Sequence, residues 1–425
     1  MAFNGWLSTC PITIPSSATT SATASVSGMP VLLVASNFPS VILSASGGCL
    51  ANGSDIRFST TSAGSDSLPR EIVNINKSLG VLAVYVKVPV ITKGSETTIY
   101  CFWNNSAASE PGKGDPAQLE LVWSNFYGSF NFQGVTSAWK GINDSSGQYT
   151  NMTVIGTPTM VSGYAPGLSA ISLTSACGMT YNELVSFPAT ASVTAVDFSF
   201  WINQNGAQPT FNFGTGTNGV PYGLIAAGQF GCGWGLFSTT GGAIPASGWH
   251  FVYCRNVNGV MTCYVDGVNK ANGTGTAGAT SFTTFGLGTT ANSAPVSIGD
   301  FRMTRNKNTP VDNIILQYVN YSNPAAFSTP GTVSTQSVAS SLTFTGLATS
   351  SEVRIYTAGT ITELTGVENV DATGTFVYNY STGGNVDIQI FHLQYQPIRY
   401  TNFTLGASST TIPIQQVIDR NYYNP

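Results

Sequence analysis

Trp249-His250-Phe251-Val252-Tyr253-Cys254-Arg255-Asn256-Val257, then Asn258-Gly259, then Val260-Met261-Thr262-Cys263-Tyr264-Val265-Asp266-Gly267, sets the tone for the whole chain. Two runs rich in β-branched and aromatic residues flank an Asn-Gly pair, the strongest short-range signal for a two-residue type I′ hairpin. That turn sets Val257 against Val260, and counting outward sets Cys254 opposite Cys263 on a non-hydrogen-bonded pair, with Cα atoms about 4.5 Å apart. The cysteines read as two small buried thiols, reduced in a chain made in the cytosol. His250 alternates with Trp249 and Phe251, which points it at solvent or at a hydrogen-bond partner.

The same period of two recurs in Leu82-Ala83-Val84-Tyr85-Val86-Lys87-Val88, in Phe198-Ser199-Phe200-Trp201-Ile202 and in Val386-Asp387-Ile388-Gln389-Ile390. Gly, Asn, Ser or Pro clusters bound each run, and one short helix is predicted, Val311 to Tyr318 after Pro310, too short to stand alone. The fold class is therefore all-β, in tandem β-sandwich domains with very little helix. Polar Gly/Pro-rich sequence at Ser106–Pro116 and Ser/Thr/Pro-rich sequence at Ser322–Ser340 mark two breaks. They divide the chain into β domains over 1–110, 119–325 and 338–425.

Composition narrows the function classes. Of 425 residues 8% are charged, against roughly 25% in an average globular protein, while 42% are hydrophobic and 46 are glycine. Fifteen Lys+Arg in a chain of net charge −4 supply no basic stripe to displace counterions from a phosphate backbone, which argues against nucleic acid as a partner. The longest apolar run, Leu79 to Ile91, is interrupted by Lys87 and Pro89 and falls short of the roughly 20 residues of a membrane span. No basic residue precedes Arg57, so a secretory signal is not expected. Seven cysteines without a C-x-x-C pattern do not suggest a zinc site.

Three stretches carry family resemblances. Trp6, Pro11-Ile12-Thr13-Ile14, Gly53-Ser54-Asp55-Ile56-Arg57-Phe58, Pro69-Arg70-Glu71-Ile72, Ala83 to Pro89 and Thr97-Thr98-Ile99-Tyr100 resemble a family of unknown function found upstream of laminin-G-like domains in bacterial surface proteins and phage virion proteins. Where that family shows Tyr-Gly-Asn after its last strand, this chain has Phe102-Trp103-Asn104. Val122-Trp123, Tyr127, Phe198 to Ile202, Gly248 to Val252, Tyr264 to Gly267 and Ile298 to Arg302 resemble a concanavalin-A-like jelly roll of the laminin-G type. Glu352-Val353-Arg354-Ile355-Tyr356 and Tyr395-Gln396-Pro397-Ile398-Arg399 are similar to short β modules at the ends of phage structural proteins.

Jelly rolls of this shape include glycoside hydrolases, which need paired carboxylates, typically E-x-D-x-x-E on one strand. No such spacing occurs. Glu363, Glu368 and Asp371, the nearest acid cluster, cross Gly366 and read as solvated turn residues. No G-x-S-x-G is present, and His250 and His392 fall in different domains, so no residue is assigned a catalytic role. Gly214-Thr215-Gly216-Thr217-Asn218-Gly219 satisfies G-x-G-x-x-G but leads into Val220-Pro221-Tyr222 instead of a helix, and it reads as a hairpin loop. The N-x-[S/T] sequons at Asn52, Asn76, Asn104, Asn143, Asn151, Asn272, Asn320, Asn379 and Asn402 follow from the abundance of Asn, Ser and Thr.

Binding remains. Trp103, Trp139 and Trp234 neighbour Asn, Lys or Gly outside clean alternating strands and are the candidates for stacking on sugar rings, whereas Trp201 and Trp249 read as core. Asp266 and Asp300 sit at strand ends and are the candidates for the rim calcium that the laminin-G resemblance implies; no other cofactor is expected. The resemblances imply a bacteriophage virion surface protein, a capsid decoration, spike or tail-fibre component, made in the host cytoplasm and carried on the virion. Its expected partners are other virion proteins and a host-surface glycan held by the jelly roll, with a homo-oligomer, first of all a trimer, and no membrane insertion. The runner-up is a secreted or cell-surface bacterial adhesin that binds polysaccharide; a glucanase comes third.

Overall fold

The computed structural model describes residues 3, 5–108, 112–113, 116–124, 128–130, 132, 153–173, 178–182, 195–205, 211–214, 221–226, 229–234, 237–245, 247–257, 260–274, 284–287, 296–305, 309–335, 340–367, 369–380, 384–406 and 408–420. Among the described residues the strands fall into six sheets, largely antiparallel, with Ser340–Thr345 and Thr410–Pro413 running parallel. The chain is all-β, as its periodicity requires. Two compact units emerge, one centred on Ser8–Ser334 and the other on Thr335–Pro425.

In the larger unit, Ser8–Ile14 pairs with Thr97–Trp103 on one side and Thr329–Pro330 on the other, and Arg57–Ser59 completes that order. A second sheet places Val81–Ile91 between Val26–Val34 and Arg70–Asn76. Between these two sheets lie Ile12, Ile14, Val31, Leu33, Phe58, Val84, Val86 and Trp103. The other face of the second sheet is covered as well: Leu32, Val34, Ala83 and Tyr85 pack with Trp123, Trp201, Phe251, Ile314 and Tyr321. A strand apolar on both faces reads as a continuous hydrophobic run, and Leu82-Ala83-Val84-Tyr85-Val86 is one.

That double burial explains why the segments 1–110 and 119–325 share one unit, where the sequence reading separates them. The Gly/Pro-rich stretch that suggests a break is tied down: the Lys113 amide donates to the Asn52 carbonyl at 2.9 Å. After it, Pro116–Val122 forms a short helix that the sequence reading lacks, and the helix delivers the buried Trp123 to the second core.

Two further antiparallel sheets belong to the same unit. One runs, in spatial order, Val268–Thr274, Val260–Val265, Trp249–Val257, Ala195–Asn203, Val296–Arg305, Ser169–Leu173, Thr159–Ser162, and the other Phe237–Ala243, Gln229–Trp234, Pro221–Ala226, Phe211–Gly214, Thr284–Leu287, Gly178–Asn182, Thr153–Ile155. In the first, Val257 pairs with Val260 and Cys254 with Cys263, the register the Asn-Gly pair predicts, and both cysteines are buried. Asn258 and Gly259 themselves lie outside the described residues, as do Thr215 to Gly219 of the glycine-rich motif.

The predicted helix extends a turn further, over Val311–Ser322. Alone it would be marginal; it is held by the sheet beneath it. Asn320 is fully buried and behaves as a strand neighbour: the Leu32 amide donates to its Oδ1 at 2.7 Å, and its Nδ2 donates to the Leu32 carbonyl at 3.0 Å. Tyr321 donates to the Pro30 carbonyl at 2.7 Å, and burial pushes its phenol up to about 12. Asp312 in the first turn accepts from the amides of Thr23 and Ala24 at 2.6 and 3.1 Å. The boundary between the two compact units, Ser334/Thr335, lies within the Ser322–Ser340 stretch. Asn320→Ala is expected to cost about 2–3 kcal/mol, because both Leu32 backbone groups lose their partner in a dry site; urea unfolding of the full chain measures it. Among the described residues, no helix is long and apolar enough to cross a membrane.

The smaller unit is a two-sheet β module, close to the span 338–425. Ser340–Thr345 lies between Phe376–Tyr380 and a parallel Thr410–Pro413. The facing sheet runs Glu363–Val367, Glu352–Thr357, Gly384–His392, Tyr395–Leu405. Leu342, Phe344, Val353, Ile355, Val386, Ile388 and Ile390 fill its core.

Candidate functional site

Asp300 and Asp266 do not form a calcium site. Asp300 is buried at the heart of the larger unit with a left-handed backbone, φ 39°. Its Oδ2 accepts from Tyr85, from Tyr164 and from Arg302 Nη2, the last at 2.7 Å. The Arg302 guanidinium lies 4.4, 4.9 and 5.2 Å from the ring centroids of Trp123, Tyr321 and Tyr85. Burial foremost, with the Asp300 charge behind it, holds the Tyr85 and Tyr164 phenols well above their ordinary range, so both stay neutral donors. Calcium takes six to eight oxygens, and here an arginine and two hydroxyls occupy the carboxylate.

Asp266 serves a different contact. Its Oδ1 accepts the Phe251 amide at 2.9 Å and its Oδ2 meets His250 Nδ1 at 2.7 Å, while His250 Nε2 is 2.9 Å from the Ser247 carbonyl. The histidine pins the Asp266-Gly267 turn to the start of its own strand, and neither ring nitrogen is left to move a substrate proton. His392 is used in the same way, with Nε2 3.2 Å from the Thr349 carbonyl and Nδ1 accepting the Gln394 amide. No cluster of three or more His, Cys, Asp or Glu suited to a metal occurs among the described residues.

The tryptophan candidates divide. Trp103 has no exposed surface: it closes the first core, and its indole Nε1 donates to the Gly47 carbonyl at 3.0 Å. The polar neighbour Asn104 that suggests a loop marks only the end of the strand. Trp234 is the last residue of Gln229–Trp234, opposite Pro221 and Phe237, so its backbone lies in a sheet and not in a loop. Trp139 lies outside the described residues. Trp201 and Trp249 join the second core, as expected.

Among the described residues, an open polar surface in the smaller unit forms a cavity. On Glu352–Thr357 and Gly384–His392 the alternate residues Val353, Ile355, Ile388 and Ile390 point into the core, which puts Glu352, Arg354, Tyr356, Gln389 and Phe391 on the outer face. Register then lines Arg354, Gln389 and Arg399 across three adjacent strands, with Glu352 opposite Phe391 one row along. Together with Pro397 they bound a groove of about 180 Å³. Pro397 lies on an edge strand, where a missing N–H costs no ladder bond.

Arg354 forms the fixed wall: its Nε donates to Glu352 at 2.8 Å and its Nη1 to Glu363 at 2.9 Å. Glu363 is therefore a strand residue in an ion pair instead of a turn residue. Asp371 does lie in a turn, held below the ordinary carboxylate range by the Thr373 hydroxyl and amide. Glu368 lies outside the described residues. Gln389, Arg399 and the Tyr356 hydroxyl have no hydrogen-bond partner among the described residues. Phe391 keeps 48% of its surface exposed. Donors, an amide acceptor and two aromatic side chains thus converge on a volume below the 300–1,000 Å³ of a drug-sized pocket, enough for one ring of a longer chain. Sequence reasoning singles out both flanking segments but not this site. The alternation Glu-x-Arg-x-Tyr in Glu352 to Tyr356 is the signal that one polar face is shared.

No family model and no curated protein matches the chain. Among solved structures, it is similar to the binding domain of botulinum neurotoxin serotype D, at 17% identity and a TM-score of 0.38 over 48% of this chain and 52% of that one. It is similar to the binding domain of Paraclostridial Mosquitocidal Protein 1 at 15% and 0.38, over 47% and 52%. Domain 4 of AbnA, a GH43 extracellular arabinanase from Geobacillus stearothermophilus in complex with arabinotriose, is similar at 18% and 0.34, over 45% of this chain and 98% of that one. The chain spans about half the length of the binding-domain structures it matches.

Proposed function

We propose that this is a non-catalytic surface protein of a virus particle, a bacteriophage in the first instance, and that it contacts glycan. The observation that carries glycan contact is the groove over Arg354, Gln389 and Arg399, where the Gln389 and Arg399 side chains, unpartnered among the described residues, lie between Tyr356 and Phe391. Sugar rings present apolar C–H faces and fixed hydroxyls, and an aromatic side chain beside amide and guanidinium groups answers both. The reading moves glycan contact from the jelly-roll segment to the terminal module. Placement on a virion rests on the resemblance of the last segment to phage structural modules and of the first to a family that phage virion proteins share with bacterial surface proteins, and the absence of catalysis on the two histidines being engaged in structural bonds.

The full chain is expected to be retained on an immobilised panel of bacterial polysaccharides without releasing reducing sugar. Tyr356→Ala with Phe391→Ala should weaken retention about tenfold, from about 0.5–1.5 kcal/mol per ring. Retention unchanged in the double variant would remove the groove from the reading, and sustained sugar release would overturn the absence of catalysis. A shallow site of this kind binds weakly, and display on a trimer raises avidity without new contacts. Light scattering should give three times the chain mass; a monomer in solution that also stands as single copies on the particle defeats that part.

A further inference from the structure

We infer that the groove of the terminal module selects a sugar residue bearing a carboxylate, of the uronic or sialic acid class, with Arg399 as the group that reads the acid. The inference rests on the glycan reading and goes beyond it by naming the ligand class. The groove is dipolar. At one edge Glu352 and Glu363 both engage Arg354, each through Oε1, so that corner holds two negative charges against one positive and its guanidinium is already committed. At the other edge Arg399 is exposed, with no carboxylate in ion-pair reach among the described residues. The neutral Gln389 separates the two in direct register.

A ligand complementary to such a groove carries an anion at one end and hydroxyl donors at the other. A planar carboxylate matches the guanidinium fork in two parallel bonds. Sugar hydroxyls can donate to the remaining oxygen of Glu352, and the Gln389 amide can bridge them. Neutral sugars leave Arg399 unused. A phosphate dianion would find a single free cation and would face the acidic corner. Asp387, on the strand of Gln389, is turned to other partners: its oxygens accept the Gly359 and Asn402 amides at 2.8 and 2.7 Å.

The test uses the full chain and isothermal titration or ligand-observed NMR, with trigalacturonic acid and sialyllactose as probes and their methyl esters as isosteric neutral controls. At least one acid should bind about fivefold or more tighter than its ester, as expected for a charge-assisted pair at a solvent-exposed site. The advantage should shrink with added salt. Arg399→Gln should erase the difference between acid and ester, and Arg399→Lys should retain only part of it, because the fork is lost while the charge stays. The two probes separate a uronic from a sialic source. Equal binding of acid and ester, or discrimination that survives in Arg399→Gln, overturns the acid selectivity and leaves glycan contact standing. Absence of binding by acids, esters and neutral oligosaccharides alike overturns the glycan reading itself.

Discussion

Arg302→Ala is expected to destabilise the Ser8–Ser334 unit by about 3–5 kcal/mol, the range for breaking a buried ion pair by removing one partner. Arg302 and Asp300 are both about 2% exposed, and the guanidinium is enclosed by the rings of Tyr85, Trp123 and Tyr321. Truncation leaves a carboxylate in a dry site with only two phenol donors, and it also empties the space between three aromatic rings. The pair itself is imperfect, since Asp300 Oδ1 and Arg302 Nε have no hydrogen-bond partner among the described residues. Removing both charges should therefore cost less than removing one. Asp300→Asn suits the left-handed backbone at that position, and combined with Arg302→Met it should recover about 2 kcal/mol relative to Arg302→Ala. Guanidinium unfolding of the full chain, followed by tryptophan fluorescence, reads this out, because six of the seven tryptophans lie in Ser8–Ser334. Strictly additive single substitutions would show that the two side chains act independently.

Trp103→Ala should cost a similar amount, about 3–5 kcal/mol, as large-to-small changes in a closed core do. Trp103 ends its strand opposite Ser8, has no exposed surface and satisfies the Gly47 carbonyl. Trp103→Phe keeps most of the packing and loses that one hydrogen bond, for about 0.5–1.5 kcal/mol. Glycan retention, measured where each variant is still folded, should not change in either. A variant of unchanged stability that lost retention would restore Trp103 as a binding residue.

Both experiments probe residues whose roles look different before and after folding. Trp103 lies beside Asn104 and a polar stretch, which in a linear reading resembles a loop. Pairing of its strand with Ser8–Ile14 and Arg57–Ser59, and the sheet packed on them, bury it. In a linear reading Asp300 and Asp266 look like strand ends and suggest a cation site, but only Asp266 follows a strand, and Asp300 lies within Val296–Arg305. Their surroundings come from Tyr85, Tyr164 and Phe251, and Tyr85 is more than two hundred positions away from Asp300 in the chain. His250 is closer to its expectation, since a polar residue in an apolar strand needs a partner and finds Asp266 across the hairpin.

The period-two alternation, the turn residues and the scarcity of charge determine that this chain makes antiparallel sheets, and the Asn258-Gly259 pair determines the register of Cys254 against Cys263, because these properties are set by contacts a few residues apart. The extra turn of helix to Ser322, the shared core that joins 1–110 to 119–325, and the groove are different in kind. Each depends on which strands become neighbours: Leu32 under Asn320, Trp123 on Tyr85, Gln389 between Arg354 and Arg399. Such pairings are selected by burial over the whole unit, after loop closure has been offset by the core. No local pattern encodes them, so tertiary structure alone decided where the groove forms.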